Sequence, residues 1–117
     1  GKITGRSDDM LIVRGVNVFP TQIEEQILRD QRLAGNYQIL LTRDGHLDNV
    51  EVRCELQHAL SGKLPPAEIQ TISKELQHRI KTIVGISTRI TVMEHDSIPR
   101  TLTGKAKRVL DERPKQN

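Results

Sequence analysis

The side chains able to do chemistry are few and scattered. Four histidines, His46, His58, His78 and His95, stand in four different segments, and no pair has the spacing of two metal ligands. The single cysteine, Cys54, cannot form an internal disulfide. It lies on the apolar side of an alternating run with no histidine or basic neighbour on that side to activate a thiolate, which makes it a small core hydrophobe. Asp8 and Asp9 are adjacent carboxylates, which point apart in extended chain and read first as a turn. Gly104-Lys105 and Gly62-Lys63 each resemble the end of a phosphate loop. Both lack the glycine five positions upstream and the Ser or Thr that would meet magnesium. A lysine that serves a phosphate here does so by another arrangement, and no metal site is expected.

Short elements must carry these residues. Met10 to Phe19 is rich in β-branched residues and broken at Arg14-Gly15, predicting a strand pair around a tight turn. Thr21 and Glu24 have capping-box spacing, and Ile23, Ile27 and Leu28 share one side, predicting a short helix from Pro20 that ends near Gly35. Tyr37, Ile39 and Leu41 alternate up to Asp44-Gly45. Val50, Val52, Cys54 and Leu56 then alternate with Glu51, Arg53 and Glu55, giving an antiparallel hairpin with one wet face. Pro65-Pro66 opens a long helix with Ile69, Ile72, Leu76, Ile80 and Ile83 at helical spacing, stopped by Gly85. Ile86, Thr88, Ile90 and Val92 alternate as a third main strand, and Ala106 to Glu112 is expected to form a last helical turn or two before Pro114. The fold class is α+β: a small strand pair, then a three-stranded sheet with helices packed on it.

The 117 residues make one domain, with 35% hydrophobic residues, a mean hydropathy of −0.49 and no run long enough to span a membrane. The N-terminus has no apolar stretch for export, so a soluble, cytoplasmic protein is expected. The net charge of +3 is unevenly placed: residues 1–99 hold 12 Lys/Arg against 13 Asp/Glu, and residues 100–117 hold 6 against 2. A basic tail is either a solvated end or an anion site. Stacking on bases needs aromatic rings, and Phe19 and Tyr37 are far from this tail in sequence, so nucleic acid is not the expected partner.

Two segments are more specific than a generic domain requires. One runs from Gly5 to Glu24 and contains Arg14-Gly15-Val16-Asn17-Val18-Phe19-Pro20; the other is Pro99-Arg100-Thr101-Leu102-Thr103-Gly104-Lys105-Ala106-Lys107-Arg108. Here the sequence resembles the small C-terminal domain of the acyl-adenylate-forming ligases, in the phenylacetate-coenzyme A ligase branch, across residues 5–108.

The resemblance implies that residues 1–117 are a mobile lid domain with its hinge at 5–9, and that the large N-terminal domain binding ATP and the carboxylic acid is absent from this chain. It implies two half-reactions, acyl-adenylate formation and acyl transfer to coenzyme A, with ATP, Mg2+ and coenzyme A used by the full-length enzyme and none held tightly by this fragment, which is expected to be inactive alone. Lys105 matches the adenylation lysine, a compact cation that can neutralise charge gathering on the α-phosphate. Asp8 matches the hinge residue, Arg6 an arginine that meets the nucleotide, and Gly15 the glycine beside the path of the pantetheine arm. Many relatives carry an arginine where this chain has Asn17, which leaves Arg14, across the turn, as the alternative phosphate contact. The implied partners are the N-terminal domain of the same enzyme, an aryl acid with phenylacetate first, and a second copy in a homodimer. The reading from another class is a non-catalytic regulatory or interaction domain derived from the family.

Overall fold

The computed structural model describes residues 9–100 and 108–114. It opens on the small hairpin, β1 (Leu11–Val13) and β2 (Val16–Val18), paired antiparallel with Val13 opposite Val16. Arg14 and Gly15 between them both have positive φ, 52° and 76°, the two-residue turn whose twist matches that of the strands. Val13 and Val18 point into the core, while Ile12 and Asn17 face outward.

Helix α1 (Pro20–Leu28) follows at once, burying Ile23 and Ile27. It does not use the predicted Thr21/Glu24 box. Proline at the first helical position makes Phe19 the cap, and the Phe19 N–H donates to Oε1 of Gln22. Nor does the helix reach Gly35. It stops at Leu28, itself 60% exposed, because the Asp30 carboxylate turns the chain by accepting the Arg32 N–H, and Gly35 belongs to the next strand.

Strands β3 (Leu33–Asp44) and β4 (Leu47–Leu56) form the predicted hairpin, with Tyr37 opposite Cys54 and Ile39 opposite Val52. Helix α2 (Pro66–Val84) crosses the sheet with Ile72, Leu76, Ile80 and Val84 buried at four-residue intervals. Val84 takes the place expected for Ile83, which is half exposed. Gly85 ends the helix in the left-handed conformation at φ 93°. Strand β5 (Arg89–Met93) runs parallel to β4.

The tail departs from expectation. Of the helix predicted at Ala106 to Glu112, residues 106 and 107 lie outside the described residues, and Val109–Asp111 form a strand, β6, parallel to β3. A helix of so few residues is marginal by itself, whereas β3 offers an open row of backbone groups. Ile39 N–H donates to Arg108 O and Glu112 N–H to Leu41 O. The α+β class holds, and the main sheet has four strands, β5-β4-β3-β6. α1 and α2 pack against each other and the sheet around one core.

The other face of the hairpin is less wet than the alternation suggested. Glu51 and Arg53 are partly exposed, but Glu55 is 0% exposed, and Asn36 and Gln38 beside it are buried. The segment after β5 folds across this end of the sheet and takes Glu55 out of water.

Candidate functional site

Three predicted site residues, Arg6, Asp8 and Lys105, lie outside the described residues. The fourth, Gly15, stands at the tip of the β1–β2 hairpin. A Cβ added there would meet nothing within 4 Å, so the backbone conformation, with its φ of 76°, asks for glycine, and the space beside it is open.

Arg14 is committed to holding this tip. Its N–H donates to Oδ2 of Asp48 at 3.2 Å, its Nε to the Asp48 carbonyl at 2.8 Å and its Nη1 to the Ser87 carbonyl at 3.5 Å. The guanidinium is therefore a strut between hairpin and sheet, which counts against Arg14 as the free substitute for the arginine that Asn17 replaces. Asp48 also accepts from Arg43 Nε at 2.8 Å and Arg113 Nη1 at 3.1 Å. The Arg43 hydrogen bond foremost, then Arg14 and Arg113, hold its carboxyl below the usual carboxylate range against the opposing effect of burial.

Beside the turn lies a cleft of about 760 Å3 between α2, the start of β5 and the tip of the β3–β4 hairpin. Arg14, Lys74 and Arg89 line it against one carboxylate, Asp44. The Lys74 and Arg89 side chains are exposed. The hydroxyl of Thr88, in the cleft wall, is buried and has no hydrogen-bond partner among the described residues. Cations and open donors on one wall suit an anion. No spacing in the sequence announces this cleft, because its residues come from five separate segments.

The described residues nearest Lys105 in sequence, 96–100 before it and Arg108 after it, are tied to the sheet. Before it, Glu55 Oε2 accepts the Ile98 N–H at 2.8 Å and Asn36 Nδ2 at 2.9 Å, Glu55 Oε1 accepts the Asp96 N–H at 3.0 Å, and Arg100 lies 3.9 Å away. After it, Arg108 stacks its guanidinium 4.4 Å from the centre of the Tyr37 ring and donates to Gly35 O at 3.0 Å. Asp48 and Glu55 are the two residues that reading the sequence missed. Glu55 sits on a strand position that alternation marks as solvent-facing, whereas Asp48 lies in step with the core-facing Val50 and Val52 but before the alternating run begins; contacts with other segments bury both.

The remaining candidates fall as structural residues. Cys54 is fully buried, and desolvation, with the nearby carboxylates of Asp30 and Glu55, pushes its thiol up to about 12. His58 and His95 meet edge to face with ring centres 5.3 Å apart, and His95 Nδ1 lies 3.2 Å from Leu56 O. Among the described residues no three His, Cys, Asp or Glu side chains come together as a metal site, and no helix is long and apolar enough to cross a membrane.

A small hairpin beside a helix-backed mixed sheet, with a glycine turn at one end and Val109–Asp111 as an edge strand, defines a class. The chain belongs to the AMP-binding enzyme C-terminal domain family, which it matches over residues 15–113. Among individual proteins, it is 49% identical over 115 residues to phenylacetate-coenzyme A ligase of Aromatoleum evansii, covering 98% of this chain and 26% of that protein. It is 48% identical over 110 residues to the Escherichia coli K12 protein of the same name, covering 94% and 25%. A crystal structure of a domain of phenylacetate-coenzyme A ligase from Bacteroides vulgatus superposes with a TM-score of 0.82 at 27% identity, covering 93% of this chain and 97% of that one. A 2-hydroxyisobutyryl-CoA ligase, solved with 2-HIB-AMP and CoA in its thioester-forming state, gives 0.79 at 31% identity over 93% of this chain and 22% of its own. The chain spans about a quarter of the length of the curated relatives it matches.

Proposed function

We propose that the chain is the C-terminal domain of an ATP-dependent aryl-acid coenzyme A ligase, with phenylacetate as the acid. The observation that carries this reading is the 48–49% identity to two phenylacetate-coenzyme A ligases over nearly the whole chain. Identity at that level to enzymes favours a working catalytic domain over an idle interaction module. The large N-terminal domain of the same protein is the first partner; a homodimer and a cytoplasmic location follow from the same resemblance.

In the first half-reaction a carboxylate oxygen attacks the α-phosphate of ATP and pyrophosphate leaves. Two anions meet, and the Lys105 ammonium between them lowers the barrier by neutralising charge that grows on the phosphoryl oxygens. Arg6 holds the nucleotide. Rotation about Asp8, in the hinge at 5–9, then exchanges the Lys105 face for the Gly15 face. In the second half-reaction the thiol of coenzyme A attacks the acyl carbon and AMP leaves. Gly15, with open space beside it, gives passage to the pantetheine arm, and Lys74 and Arg89 in the adjacent cleft meet the phosphates of coenzyme A.

The test uses the full-length protein with ATP, coenzyme A and a panel of aryl acids including benzoate and indoleacetate. Phenylacetyl-CoA and AMP are the expected products. Lys105→Ala is expected to stop pyrophosphate release and largely spare thioester formation from supplied phenylacetyl-adenylate. Equal loss of both half-reactions removes Lys105 from its role, and absence of ligase activity with every acid overturns the reading.

A further inference from the structure

The Arg14-Gly15 turn has an unusual occupant. A two-residue loop with positive φ at both positions suits Asn-Gly or Gly-Gly, whereas the Cβ of an arginine crowds the following carbonyl. The fold holds Arg14 there chiefly through Asp48, near the start of β4, with the Ser87 carbonyl as a longer third contact. Asp48 grips it at two points, its carboxylate on the Arg14 N–H and its carbonyl on the Arg14 guanidinium. The same carboxylate binds Arg43 of β3 and Arg113 from beyond β6, and Arg113 reaches the carbonyl of Ile12 at 2.7 Å. A side chain only 11% exposed thus fastens the small hairpin to the main sheet at the end where Gly15 stands. Asp48 does not line the cleft, so it acts through the turn.

We propose that Asp48 is a positioning residue for thioester formation: it fixes the Arg14-Gly15 turn in the orientation in which Gly15 meets the incoming acyl acceptor. This rests on the ligase reading above and adds a residue that touches none of the reactants. Loss of its charge leaves the guanidinium groups of Arg43 and Arg113 against a neutral side chain and weakens the hold on the Arg14 N–H in a strained turn.

The experiment measures both half-reactions of the full-length protein and its Asp48→Asn variant, which keeps the side-chain shape. Thioester formation from supplied phenylacetyl-adenylate and coenzyme A is expected to slow about tenfold, the scale of one charge-assisted hydrogen bond, while pyrophosphate release stays within about twofold. The double variant Arg14→Asn/Asp48→Asn, which puts a residue tolerant of positive φ into the turn, is expected to recover the thioester rate to within about threefold of the parent. A purely structural Asp48 would depress both half-reactions together and would not be rescued by a turn former. Equal loss in both, no loss in either, or no rescue overturns the inference while the parent remains an active ligase. A parent without ligase activity overturns the ligase reading and this inference with it. If Asp48→Asn does not fold, Asp48→Glu, which moves the charge by one methylene, carries the same expectation and the same refutation.

Discussion

Replacing Glu55 by glutamine should loosen the chain that leads toward Lys105. The carboxylate is 0% exposed and accepts three hydrogen bonds, two on Oε2 from Asn36 Nδ2 and the Ile98 N–H and one on Oε1 from the Asp96 N–H. Glutamine keeps one oxygen, which goes where two donors converge, and sets its amide N–H2 against the Asp96 N–H. One charge-assisted bond is lost, and the buried amide faces the part-buried Asp96 N–H as a second donor, a cost of about 2–3 kcal/mol. Asp96 sits at φ 65°, a left-handed conformation that this bond helps to maintain. For a domain of this size the loss lowers Tm by roughly 10 °C. Urea unfolding of the chain and its Glu55→Gln variant measures it as a shift of midpoint at constant slope. A loss below about 0.5 kcal/mol, the level of an ordinary surface substitution, would refute the claim that Glu55 anchors residues 96–98.

Other outcomes follow from the same structure. Burial pushes the Asp30 carboxyl up, but hydrogen bonds from Arg32 and the charge of Arg79 prevail and hold it below its ordinary value. A carboxyl lowered on folding contributes stability above the ordinary carboxylate pKa of about 3.9 and loses it as pH falls through the lowered value. Urea midpoints should therefore fall as the solution is acidified below about pH 4, and less steeply in Asp30→Asn; an unchanged slope would remove Asp30 as a cause. Cys54, its thiol pushed up to about 12, should resist a thiol reagent at pH 8 in folded protein and react at once in urea; fast labelling without denaturant would show that the strand opens readily. Gly85→Ala should destabilise the chain by about 1 kcal/mol from left-handed strain alone, since an added Cβ meets nothing within 4 Å. A variant as stable as the parent would mean that the end of α2 can relax.

Much of this protein is legible in local pattern. The two-residue break at Arg14-Gly15, the 3.6-residue recurrence from Ile69 to Ile80, the alternation through Tyr37–Leu41 and Val50–Leu56, and the stop at Gly85 each depend on neighbours a few residues away. The segments ending at Glu24 and Arg108 likewise carried the family resemblance by themselves. What local pattern cannot reach is pairing between distant segments. Val109–Asp111 becomes a strand because β3 has an open edge. Glu55 leaves water because Asp96 and Ile98 fold over it, and Asp48 joins three arginines that lie 34, 5 and 65 residues away. The cleft gathers Arg14, Lys74 and Arg89 only once α2 lies beside β5. Residue types and spacing determined most of the elements and the core, and the family resemblance supplied the candidates Gly15 and Lys105. Tertiary structure decided which charges meet, because a buried carboxylate is tolerable only where the fold delivers donors to it.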